Sequence, residues 1–266
     1  MKVKPKKALG QHFLTDLSIA HRIAETVNID PYRSLPVLEI GPGMGVLSEF
    51  LMEQDRPLKV VEIDSESVAY LHANFPELQV VEGDFLQLPA DDFFPGEFAL
   101  IGNYPYNISS QIFFRVLEEK DRIPIVAGML QREVAQRICA REGKKDRGIL
   151  SVLLQAWYDC EYLFTVDEHV FNPPPKVKSG VIRLTRNGVT DLGCDPALFK
   201  NVVKTSFNQR RKTLRNSLSP LIPKTRPDGS PNEASAALLA EPLMSLRPEQ
   251  LSVAQFIDLT RRIAAL

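Results

Sequence analysis

The chain has 266 residues, enough to bury a sizeable core as one large domain or as a domain with a small appendage. Its 44% hydrophobic and 24% charged residues are ordinary globular proportions, and no apolar run approaches the roughly 18–20 residues of a membrane span. Three widely spaced cysteines, Cys139, Cys160 and Cys194, suggest a reducing cytoplasm without a disulfide framework, and a net charge of −1 by itself argues against a nucleic-acid binder.

The basic start, Met1 to Lys7, has no apolar segment behind it and does not read as a secretory signal. Asp16 or Ser18 can then cap a helix carrying Ile19, Ile23 and Val27 at helical spacing. Strands are expected at 37–40, 58–63, 78–81, 98–101 and 123–130, with helices at 46–52, 65–74, 109–117 and 133–140. Further strands are expected at 151–158 and 181–185. Alternating β and α segments with short connections predict an α/β fold with a Rossmann-like, doubly wound, mainly parallel sheet. Near Asn187-Gly188 the pattern changes to helical spacing, ending in an amphipathic helix capped by Ser252 and carrying Val253, Phe256, Ile257, Leu259, Thr260 and Ile263. The expected division is therefore residues 1–187 and a small all-helical domain over 188–266.

Charge is unevenly placed. Residues 36–100 hold 13 acids and two bases, residues 196–227 hold eight bases and no acid, and the first seven residues include four lysines. Such a chain can hold a polyanion on one surface and a cationic small molecule at another. The four histidines, His12, His21, His72 and His169, have no metal-ligand spacing, so no metal is expected.

In a doubly wound sheet, ligands bind at the carboxyl ends of the strands. Glu39-Ile40-Gly41-Pro42-Gly43-Met44-Gly45 would form a glycine loop there, Glu62 would end the second strand, and Asp84 would follow the third. A pyrophosphate would be repelled by these acids, whereas S-adenosylmethionine, with an ammonium, a sulfonium, a ribose and an adenine, suits them. Glu62 is assigned to the ribose hydroxyls and Asp84 to the adenine amine. Singly, each acid could merely cap a strand or helix; the ordered set points to the cofactor. Asn103-Tyr104-Pro105-Tyr106 follows the fourth strand. The Asn103 side-chain oxygen and the Tyr104 backbone carbonyl can accept from the amine of a planar base, favouring the pyramidal form that attacks a methyl group, while Tyr106 stacks on its ring.

These residues resemble the ribosomal-RNA adenine N6,N6-dimethyltransferases of the KsgA type. Leu9–Leu14, Glu39–Gly45, Val61–Asp64, Gly83–Phe85, Asn103–Tyr106, Met129–Ala135, Val170–Val177 and Phe207–Asn216 carry the resemblance, which spans nearly the whole chain. It implies dimethylation of two adjacent adenines in the 3′-terminal hairpin loop of small-subunit (16S) rRNA, within the assembling 30S particle; a cytoplasmic monomer is expected. It implies cofactor contacts from Gln11, His12, Leu14, Gly41, Gly43, Glu62, Ile63, Asp84, Phe85 and Asn103, and places Phe171 against the target base beside or opposite Tyr106. Two positions depart from the family: His12 stands where Asn is common, and Tyr104 where Leu or Ile is frequent.

For RNA, Arg210, Arg211, Lys212 and Arg215 are expected on a helix as phosphate contacts, extended by Lys4, Lys6 and Lys7 on a basic arm. Arg141, Lys144, Lys145 and Arg147 form a basic loop that could touch RNA or be simply solvated. The rivals are an Erm-type large-subunit rRNA methyltransferase, a non-catalytic RNA-binding assembly factor and, last, a nicotinamide oxidoreductase.

Overall fold

The structure, a computed structural model, describes residues 5, 6 and 9–266. In chain order its elements begin with β1 (Phe13–Leu14), α1 (Leu17–Ala24), β2 (Val37–Ile40), α2 (Val46–Met52), β3 (Leu58–Glu62) and α3 (Ser65–Asn74). They continue with β4 (Gln79–Glu82), β5 (Ala99–Asn103), α4 (Ser109–Glu118), β6 (Ile125–Gln131) and α5 (Arg132–Ile138). Then come α6 (Ile149–Gln155), β7 (Tyr158–Val166), β8 (Phe171–Asn172) and β9 (Ser179–Arg186). The remainder is helical: α7 (Pro196–Asn208), α8 (Leu214–Ser217), α9 (Glu233–Ala240) and α10 (Val253–Ala264).

Seven strands form one sheet in the order β4-β3-β2-β5-β6-β9-β7. The first five run parallel, and β9 lies antiparallel to both β6 and β7. All four residues of β2 and six of the seven in β6 are buried, as strands covered on both faces must be. The register aligns the strand ends: Ile40 pairs with Val61 and Gly102, Glu62 with Glu82, and Asn103 with Met129. Glycine loop, strand-end acids and Asn103 therefore reach one edge of the sheet. Separately, β1 pairs antiparallel with β8, bringing Leu14 opposite Phe171 across 157 residues of sequence.

The chain divides into two compact units. One comprises the residues up to Gln136 with Tyr158–Arg186, the other Arg137–Trp157 with Asn187–Leu266. The last crossing between the units falls between Arg186 and Asn187, and residues 137–157 belong to the second unit. The reason is α6. Residues 151–158 were expected as a strand; residues 149–155 are a helix that packs on α7 and α10. Leu150 to Leu154 are all buried, and an apolar run with no polar face carries no periodicity to separate buried helix from buried strand. Gly148 N–H donates to the Ser151 hydroxyl at 2.9 Å and starts the helix.

Asp16 caps α1 by accepting from Ser18 N at 2.9 Å and Ile19 N at 3.3 Å. Ser252 and Gln255 make a reciprocal capping pair at the start of α10. In the second unit Phe207 stacks on Phe256 with ring centroids 6.1 Å apart, among buried Phe199, Val203, Leu259 and Ile263. No described helix is long and apolar enough to cross a membrane.

Candidate active site

A cavity of about 340 Å³ opens at the carboxyl ends of β2 to β5, entirely within the first unit. Its walls are Leu9–Leu14, the glycine loop, Val61–Ile63, Gly83–Gln87 and Asn103–Ile108.

The glycine loop has its form because Gly41 and Gly43 sit at φ +64° and +58°, where side chains are strained. A Cβ on Gly43 would lie 2.8 Å from the Phe13 ring, so β1 lies directly on the loop. Gly41, by contrast, meets only the Pro105 ring, at 3.9 Å, and leaves room for a ligand.

Glu39 lies under this loop, buried, and accepts from the Ser48 hydroxyl at 2.5 Å. Burial pushes its carboxyl up to about 8, against the Ser48 bond, and the nearby Glu62 charge acts in the same direction as burial. Glu62 ends β3 and accepts from Gly43 N at 3.1 Å and Asp64 N at 2.9 Å. Burial raises its carboxyl, while the bonds from Asp64 N and Gly43 N oppose the rise. The same contacts tie the glycine loop to the second strand. Beside Glu62, Ile63 is 54% exposed, an apolar platform on the cavity wall. Asp84 faces the cavity and caps its own turn by accepting from Leu86 N at 2.9 Å. Phe85 is buried, stacked on Phe93 with centroids 5.9 Å apart.

Asp64 caps α3 and collects Lys6 Nζ at 2.5 Å, Gln11 Nε2 at 3.3 Å and Ser67 Oγ at 3.1 Å. Burial works against its charge, but these bonds outweigh burial and hold the carboxyl below its ordinary value. Lys6 also pairs with Glu66 at 3.2 Å, and its backbone N–H donates to Gln11 Oε1 at 2.8 Å. Lys6 was expected on the RNA surface. Its ammonium, still partly exposed, pairs with carboxylates at the end of β3, an ion pair 58 residues apart in sequence that no local pattern announces. Lys4 and Lys7 lie outside the described residues.

Asn103 Nδ2 donates to the His12 carbonyl at 3.0 Å. A carbonyl only accepts, so this bond turns the amide and leaves Oδ1 as the acceptor for a ligand. His12 Nδ1 donates to the Pro173 carbonyl at 2.8 Å, and its ring lies 5.4 Å from that of Tyr106. Tyr106 is fixed by a hydrogen bond between its hydroxyl and the buried Ser179 hydroxyl.

Tyr104 points the other way. Its N–H donates to Met129 O at 2.9 Å, its ring is buried against Gly102, Gly128 and Phe113, and its hydroxyl donates to Ala127 O at 2.7 Å. Burial raises the phenol well above its ordinary value. A Cβ at Gly128 would approach the Tyr104 ring to 2.6 Å and Gly102 O to 2.3 Å. The two glycines make the space that this aromatic ring fills.

All ten residues expected at the cofactor line this one cavity: Gln11, His12, Leu14, Gly41, Gly43, Glu62, Ile63, Asp84, Phe85 and Asn103. Tyr104 and Tyr106 join them. Phe171 does not. Its side chain is only 4% exposed and packs in the core with Leu14, Ile23 and Met129. Side chains alternate along a strand, and in β8 it is Asn172 that faces solvent, so the expected base contact is corrected. Sequence reading missed Ser179. Ser179 opens β9 opposite Gln131, and that register was the only signal for it.

Arg210, Arg211, Lys212 and Arg215 are exposed residues of the second unit. Only Arg215 is helical, in α8; the other three form a turn, because α7 ends at Asn208. Arg215 Nε donates to Leu239 O at 2.8 Å.

The donor set fits a nucleoside-bearing cation. Carboxylates, amides and an exposed apolar platform line the cavity, and among the described lining residues there is no Lys or Arg to meet a pyrophosphate.

A model of the ribosomal RNA adenine dimethylase family matches residues 2–257. The chain is 63% identical over 260 residues to a ribosomal RNA small subunit methyltransferase A of Parabacteroides distasonis, covering 97% of this chain and 93% of the relative. It is 59% identical over 264 residues to the protein of that name in Porphyromonas gingivalis, covering 98% of both. A dimethyladenosine transferase from Plasmodium falciparum shares the fold, with a TM-score of 0.77 at 24% identity over 93% of this chain and 96% of that one. The 23S rRNA methyltransferase ErmE superposes with a TM-score of 0.64 at 29% identity, over 95% of this chain and 99% of that one. With a family match over residues 2–257 and relatives about 60% identical along nearly its whole length, the chain belongs to the ribosomal RNA adenine dimethylase family.

Proposed function

We propose that this chain dimethylates, at N6, two adjacent adenines in the 3′-terminal hairpin loop of small-subunit rRNA, acting as a cytoplasmic monomer on the assembling particle. The observation that carries the reading is the Asn103–His12 bond of 3.0 Å, which presents an amide oxygen to the cavity that also holds the Glu62 carboxylate. S-adenosylmethionine, when bound, supplies an electrophilic methyl carbon. Glu62 and Asp84 would hold its ribose and adenine, Ile63 the adenine face, and Gly41 leaves the backbone open for it.

The adenine amine is a weak nucleophile because its lone pair is delocalised into the ring. Asn103 Oδ1 and the Tyr104 carbonyl would accept its two hydrogens, favour the pyramidal amine and aim it. Tyr106, fixed by Ser179, would stack on the extruded base, and a hairpin loop lowers the cost of extrusion because little pairing is broken. The rate gain is then mainly alignment and hydrogen bonding.

The likeness to ErmE favours testing a second substrate, the large subunit. The identities of 59–63% to proteins named for the small subunit support the first reading. Labelled methyl transfer from S-adenosylmethionine to unmodified small and large subunits separates them. The expected product is N6,N6-dimethyladenosine from small subunits alone. Labelling of large subunits, or none, would overturn the proposal.

A further inference from the structure

Residues 141–147 form a loop held in place by one of its own members. Arg147 was grouped with the loop's other cations, but its side chain is buried. Its Nη1 donates to Ala140 O at 2.7 Å and to Gln155 Oε1 at 2.8 Å, and its N–H donates to Lys144 O at 3.0 Å. Gly143 N–H donates to Glu249 O at 2.8 Å. The loop is thus fixed from beneath, and Arg141, Lys144 and Lys145 are exposed on it.

A second basic segment reaches the same loop. Arg210, in the turn after α7, donates from Nη2 to the Lys145 carbonyl, joining residues 65 apart in sequence within the second unit. Its neighbours Arg211 and Lys212 are exposed. The ion pairs formed among the described residues involve none of these six cations. Glu142 and Asp146 are the acids of the loop, so cations outnumber anions six to two.

We propose that loop 141–145 and turn 210–212 form one continuous surface for the phosphate backbone of RNA, with the loop as its second half. This rests on the reading of the chain as an rRNA methyltransferase. Two features favour RNA over an acidic protein. Protein interfaces are depleted in Lys and built around apolar anchors, and the exposed large hydrophobics among the described residues, Leu17, Met52, Ile63 and Val177, all lie in the first unit. A pre-shaped loop also loses little freedom on meeting a polyanion whose geometry varies along its length.

The test is binding of the full chain to unmodified small-subunit rRNA across a salt series, with methylation rates alongside. The triple variant Arg141→Ala/Lys144→Ala/Lys145→Ala is compared with Arg211→Ala/Lys212→Ala and, as control, Lys224→Ala/Arg226→Ala on a separate exposed loop of the same unit. The triple variant should bind about tenfold more weakly at low salt and show a salt slope shallower by about 2, since each lost phosphate contact removes roughly 0.7–0.9 from it. Its KM for RNA should rise while kcat at saturating RNA is kept, and Lys144→Arg/Lys145→Arg should behave as wild type. A triple variant matching the control in affinity and slope, while wild type binds and methylates, overturns the loop's role alone. Failure of the wild type to bind RNA overturns both this and the reading beneath it.

Discussion

Glu39 is a carboxyl in the wrong place for a charge. With burial pushing it up to about 8 from an ordinary 4.5, the folded chain keeps a proton that the unfolded chain releases. Its contribution to stability is therefore complete below pH 4.5 and is lost as pH rises toward 8. The slope from this one group reaches about 1.4 kcal/mol per pH unit inside that window. Glu39→Gln removes the proton exchange but can keep an acceptor for Ser48. Denaturant midpoints should show the variant gaining on wild type between pH 5 and pH 8; parallel curves would contradict the account. Tyr104 makes the complementary point. Its carbonyl is assigned to the amine, and its side chain is tethered through Ala127 O at 2.7 Å. Tyr104→Phe should cost about 1 kcal/mol in urea unfolding, the usual net worth of such a bond.

Among the elements, the parallel strands were legible as short apolar runs, most of them bounded by Gly or by an acid. Val37–Ile40 and Ala99–Asn103 fall close to their expected positions. The α6 helix was not legible, because a run apolar on every side has no period. Neither were the pairing of β1 with β8 and the burial of Phe171, since both depend on a contact made across most of the first unit's sequence. Gly128 was read only as part of a strand. In the fold, its missing side chain is what admits the Tyr104 ring. Gly128→Ala would place a methyl group against both that ring and the Gly102 carbonyl, and overpacking of this kind costs about 1–3 kcal/mol or more. Thermal unfolding should show that loss, together with slower methyl transfer as the tetrapeptide shifts; an unperturbed variant would contradict the packing.

For the molecule as a whole, the uneven charge visible in the sequence maps onto two kinds of site. The acids of residues 36–100 include Glu39, Glu62 and Asp84 at the cavity, and the bases of residues 196–227 include the exposed 210–212 turn of the second unit. The order of strand-end acids and glycines in the sequence led to one cavity, because both follow from topology. Sequence reading misjudged Arg147, whose side chain is buried, and gave no sign that Lys6 pairs with Asp64. Sequence shows that a cation exists, and only the fold shows whether it faces solvent. Catalysis is assigned first to the Asn103 amide oxygen, aimed at an adenine amine. Single-turnover methylation of unmodified small subunits by Asn103→Ala tests it most directly, with RNA affinity measured in parallel. A rate at least about 100-fold lower, with RNA affinity retained, is the predicted result, in the range seen when a positioned hydrogen-bonding group is removed; a rate within twofold of wild type would contradict the account.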